Sequence, residues 1–104
     1  MSNLYKDFIN KHVILRDDKA GIFFGILKGI EANKVVLLHD VRKIYKWSGA
    51  NTIEDIAMKG IINHENSKVT IQVNSLLLGN FDQIVICTKE AITDLNKIPI
   101  WSIH

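Results

Sequence analysis

Between Arg42 and Trp47 the chain reads "RKIYKW", three cations interleaved with two large rings. An aromatic face can take a flat heterocycle by stacking, and an Arg or Lys beside it can pair with a phosphate. That combination suits a nucleotide-like small molecule. Two residues downstream extend the case: Gly49 lets a backbone come close to a ligand, and Asn51 carries an amide able to read a base edge. The candidate ligand-binding set is therefore Arg42, Lys43, Tyr45, Lys46, Trp47, Gly49 and Asn51. A plainer reading of the same residues stays open, with Tyr45 and Trp47 as core aromatics and the cations as a solvated strand edge that discourages aggregation.

Other chemistry finds little footing. His12, His39, His64 and His104 are scattered, with no i,i+4 pair and no cysteine nearby, so no metal site is expected. The single cysteine, Cys87, lies in the apolar "QIVICT" and reads as an inert core thiol, because a reactive thiol needs an electropositive, accessible setting. Asp17 and Asp18 are adjacent in a turn, where their side chains diverge and cannot act as a catalytic pair. No nucleophile elbow, phosphate-binding glycine loop or zinc-protease motif is present. The expectation is a protein without catalytic residues, metal or cofactor.

Composition sets further bounds. The 104 residues are 47% hydrophobic, high for one small domain, which predicts that residues 1–104 form a single domain whose surplus apolar side chains meet in a homo-oligomer. A net charge of +2 gives no electrostatic grip on duplex nucleic acid, which needs many phosphate contacts. One cysteine permits no intrachain disulfide, and no apolar run is long enough to cross a bilayer; a cytoplasmic protein with no membrane partner is expected.

The elements that must position these residues follow from periodicity. "SNLYKDFINK" has helical spacing behind Ser2. "HVILRD" and "GIFFGILKGI" read as strands joined by the turn at Asp17–Gly21, with Ile22, Phe24 and Ile26 on one face, Phe23 and Leu27 on the other, and Gly25 marking a bulge, bend or close approach. "KVVLLHDVRKIYKW" reads as a third strand, bent near His39-Asp40. Strict alternation places Lys43, Tyr45 and Trp47 on one face and Arg42, Ile44 and Lys46 on the other, so the candidate set cannot line one pocket of one subunit unless the strand bends. Thr52 caps a short helix that Gly60 stops, "KVTIQV" and "SLLLGNFDQIVICT" supply more strands, and Thr88 caps a helix ending before Pro99. The predicted fold is α+β: a mainly antiparallel β-sheet or small barrel of about five or six strands with two or three short helices.

The order "AGIFFGIL", "KVVLLHDVRKIYKWSGANTIEDIAMKG" and "QIVICTKEAITDLNKIPIW" resembles a family of small uncharacterised proteins of tailed phages and prophages. Its pattern has an "A-R-R-I-W-Y-W-x-G-A" strand end, matched here at Arg42, Ile44, Tyr45, Trp47, Gly49 and Ala50, and a late "x-P-x-W" matched at Pro99 and Trp101. Val41, Lys43 and Lys46 depart from that pattern, leaving fewer rings at the strand end. The resemblance implies an accessory protein acting in the cytoplasm of an infected bacterial host. Joined to the cation–ring cluster, it yields the expectation of a non-catalytic sponge for a nucleotide-derived immune second messenger. The alternative is a phage structural or host-protein-binding module with no small-molecule ligand.

Overall fold

The structure is a computed structural model describing residues 4–31, 36–50, 52–61 and 63–100. Among the described residues, six strands form one antiparallel sheet: β1 (His12–Asp17), β2 (Gly21–Ile30), β3 (Val36–Lys46), β4 (Lys68–Val69), β5 (Val73–Leu78) and β6 (Gln83–Ile86). The order is β4-β3-β2-β1-β6, with β5 also paired to β3. Two α-helices, α1 (Ile53–Lys59) and α2 (Lys89–Asn96), complete an α+β architecture.

The central strands are apolar on both faces because both faces are covered. Val13 and Leu15 of β1, Phe23 and Leu27 of β2 and Val36, Leu38 and Val41 of β3 share one cluster with Leu78 and Phe81. Residues from β5 and β6, at opposite ends of the sheet order, join that same cluster, so the sheet curls around it. The other face, carrying Ile14, Phe24 and Ile44, packs against Ile53, Ile56 and Ala57 of α1 and Ala91 and Leu95 of α2. Each such fully buried aliphatic side chain contributes about 1.5–3 kcal/mol relative to exposure.

One extra residue on β3 decides which face its second half serves. Phe24 pairs with Arg42 and Ile26 with His39, so β2 steps over Gly25 alone while β3 steps over Asp40 and Val41. Asp40 takes φ 50, the left-handed conformation that Asp tolerates better than most residues. Without this bulge Arg42 would follow Val36 and Leu38 into the curled interior. With it, Val41 goes there and Arg42 and Ile44 turn towards the helices. The bend expected near His39-Asp40 is this bulge.

Both helices are capped as their sequences imply. The Thr52 hydroxyl accepts from Asp55 N at 3.2 Å and the Thr88 hydroxyl from Ala91 N at 3.1 Å. Gly60, at φ 83, ends α1. Two expectations need correction. The N-terminal segment forms only a single 3-10 turn at Lys6–Phe8, with no side-chain cap and with Leu4 79% exposed, while Ser2 lies outside the described residues. "KVTIQV" is not one strand: Thr70 N donates to Lys43 O at 2.9 Å, its hydroxyl accepts from Lys43 N at 2.9 Å, and the chain leaves the ladder before β5 begins.

Candidate functional site

A row of residues crosses four strands on the helix-bearing face. Gln83 of β6 pairs with Arg16 of β1, Arg16 with Ile22 of β2, and Ile22 with Ile44 of β3. Directly opposed residues share a face. Gln83, Arg16 and Ile22 floor a cleft of about 350 Å³, walled by Trp47 and by Thr52, Ile53 and Glu54 at the start of α1. That size lies within the range of small-ligand pockets.

Trp47 reaches this cleft through a correction to simple alternation. Ile44 pairs with Val69 and Lys46 with Lys68, a register shift that gives β3 another extra residue. The strand ends at Lys46, and Trp47 packs against the cluster containing Ile44, while Lys43 lies on the opposite face. Ser48 N donates to the Ser67 hydroxyl at 3.1 Å, and Gly49, at φ 89, turns the chain towards α1. The indole is thus half-buried, held by apolar packing on one side and lining the cleft on the other.

The polar wall is tuned. Gln83 Nε2 donates to Glu54 Oε1, and this bond, with help from Glu54's own backbone N–H, the Thr52 hydroxyl and the charge of Arg16, holds the Glu54 carboxyl below the usual range. Glu54 is therefore ionised at neutral pH, an acceptor for N–H groups and a weak base. Arg16 is exposed and supplies a cation beside it. A plate, a cation and a carboxylate–amide pair converge here from four stretches of the chain.

The remaining candidates are dispersed. Arg42 is 6% exposed beneath α2, its Nε donating to Thr70 O at 3.0 Å and its Nη1 to Leu95 O at 3.3 Å. Lys43 runs on the other face, its Nζ 5.9 Å from the Phe23 ring centroid, beside a mainly apolar pocket of about 170 Å³ that includes Val41 and Val73. Tyr45 and Lys46 are exposed at the strand end, and Asn51 lies outside the described residues, as does Trp101. Arg16, Glu54 and Gln83 are not marked as a set by the sequence, because β1–β6 pairing joins Arg16 to Gln83 and the packing of α1 on the sheet adds Glu54 beside Trp47.

Two further groups are settled by burial. Phe24 is a core ring, 3% exposed and stacked on His12 with centroids 5.6 Å apart. Cys87 is buried, and desolvation pushes its thiol up to about 12, so it stays protonated at neutral pH. Among the described residues no helix is long and apolar enough to cross a membrane.

A comparison with curated proteins finds no match. Residues 10–95 do match the model of one family, described as a domain of unknown function (DUF6948), and that span runs from before β1 almost to the end of α2. Since the match takes in the whole sheet and both walls of the Trp47 cleft, the chain belongs to the DUF6948 family.

Proposed function

We propose that this protein binds a nucleotide-derived small molecule in the Trp47 cleft and sequesters it without transforming it. The observation that carries this reading is the convergence of Trp47, Arg16, Glu54 and Gln83 on one cleft of ligand size. Trp47 stacks the base, Arg16 meets a phosphate, and Glu54 with Gln83 takes the hydrogen-bonding edge of the base. Sequestration fits the tuning of Glu54, whose depressed pKa suits holding N–H donors and not abstracting protons. The finer form of the proposal is an anti-defence sponge of a phage, working in the host cytoplasm on an immune second messenger; the resemblance of the strand end supports it.

Thermal-shift screening against cyclic dinucleotides, cyclic trinucleotides and ADP-ribose derivatives tests the proposal. Stabilisation by at least one of them, lost in Trp47→Ala, is expected. A flat response across the panel overturns it.

A second reading, a structural or host-protein-binding module with no small-molecule ligand, is favoured by a different surface. Ile71, Val73 and Leu77 are 62%, 39% and 67% exposed along β5 and the segment before it. Co-purification of a host or virion partner that is lost in Leu77→Asp but kept in Trp47→Ala would select this reading.

A further inference from the structure

Arg42 is a buried cation with unfinished chemistry. A guanidinium carries five N–H donors and a charge that does not leave at accessible pH. Here Nε and Nη1 each donate to a backbone carbonyl, Thr70 O and Leu95 O, whereas Nη2 is buried with no hydrogen-bond partner. Burial lowers the Arg42 pKa, and among the described residues no carboxylate opposes that shift. The carboxylate of Asp94, also on α2, is taken up elsewhere, 3.0 Å from His64 Nε2. A buried charge normally carries a counter-charge, and an unpaired buried donor is costly.

The missing partner has a place to sit. Arg42 borders a cavity of about 390 Å³ between the chain leaving β4 and the C-terminal end of α2, together with Gln72, Asn96, Lys97 and Pro99. Among the described residues two cations and two amides line it, and no carboxylate does. The carbonyl end of α2 opposes an anion with only about half a charge, and the Leu95 carbonyl is already bonded to Arg42 Nη1. Two full positive charges outweigh that.

We infer that this cavity is an oxyanion site for a phosphate or carboxylate group, independent of the Trp47 cleft. Arg42 Nη2 and Lys97 Nζ hold the anion, and the amides of Gln72 and Asn96 complete its shell. Nη2 has no solvent contact in this conformation, so entry requires the Pro99–Ile100 wall to shift. Ile100 is 54% exposed and held to Val69 by an isolated bridge.

The experiment is a melting-temperature titration of the intact chain with sodium phosphate, and separately with sodium acetate, each replacing sodium chloride at constant ionic strength. A saturable rise with at least one anion is expected, distinct from the unsaturable salting effect that phosphate exerts on any protein. Saturation by phosphate alone identifies a phosphate site; saturation by acetate as well identifies a carboxylate site. Because Arg42 substitutions also break two backbone contacts, the deciding variant is the exposed Lys97→Gln, which should weaken the apparent affinity roughly 1.5- to 5-fold, the scale of one surface charge contact. Lys89→Gln, also on α2, and Trp47→Ala should leave the titration unchanged. Indistinguishable curves in all salts, an unaltered Lys97→Gln titration, or abolition by Trp47→Ala would each overturn the inference. Nucleotide binding in the cleft could fail without touching this result.

Discussion

Replacing Gly25 with alanine should destabilise the fold by about 2 kcal/mol, while the same replacement at Gly29, four residues along the same strand, should be neutral or slightly stabilising. Gly25 lies opposite the β3 bulge, and a Cβ there would sit 2.9 Å from Val41 Cβ, 3.1 Å from Val41 Cα and 3.1 Å from His39 O. Two of those three atoms are backbone and cannot rotate away. Overpacking of this kind costs about 1–3 kcal/mol, offset by a few tenths to 1 kcal/mol from the stiffer unfolded chain. At Gly29 nothing lies within 4 Å of the added methyl, so only the second term remains. For a domain of this size 2 kcal/mol lowers Tm by roughly 8–16 °C. Urea denaturation of both variants, read by far-UV circular dichroism, measures the difference directly. Equal stabilities would refute the close approach at the bulge, and with it the reason Arg42 and Ile44 face the helices.

Three further outcomes are expected. Gly60→Ala should cost roughly 3–5 kcal/mol, since Gly60 holds φ 83 and ψ −160 and a Cβ would come within 2.7 Å of Asp94 Cβ and Cγ, displacing the carboxylate that accepts from Ile61 N at 2.7 Å; a melting curve close to wild type would contradict the packing of α2 on this turn. Cys87 should resist a disulfide reagent at neutral pH until the protein is unfolded, given its buried thiol with a pKa of about 12, and rapid native-state labelling would contradict its placement. His12 has its pKa lowered from 6.5 by burial, only partly opposed by Asp40, so the unfolded chain takes up its proton first; stability should be intact above pH 6.5 and fall as pH drops below it, and His12→Phe, which retains a ring against Phe24, should flatten the profile between pH 7 and 5.5.

The three long strands were legible because their apolar runs need cover on both faces, and Thr52, Gly60 and Thr88 punctuate the helices by local chemistry alone. What escaped the sequence was set by tertiary partners. Thr70 looks like any strand residue, yet it leaves the ladder because its backbone and hydroxyl bond to Lys43 and its carbonyl takes Arg42 Nε. The N-terminal helical spacing fails because Leu4 and Tyr5 find too little to bury against; they stay 79% and 38% exposed. The site was half visible. Trp47 could be singled out by residue type, but alternation placed it on the face of Lys43, since the register shift between Ile44 and Lys46 intervenes and no residue there announces it. Arg16 and Gln83 are separated by most of the chain and become neighbours only through β1–β6 pairing.

Nucleotide binding at the Trp47 cleft is tested most directly by isothermal titration of the wild-type chain and Trp47→Ala with the nucleotide that gives the largest thermal shift. Stacking on one aromatic ring is worth about 1–3 kcal/mol, so the variant should bind roughly 5- to 150-fold more weakly. Equal affinity for the two proteins, or no heat of binding from any nucleotide in the panel, would contradict the assignment of the cleft.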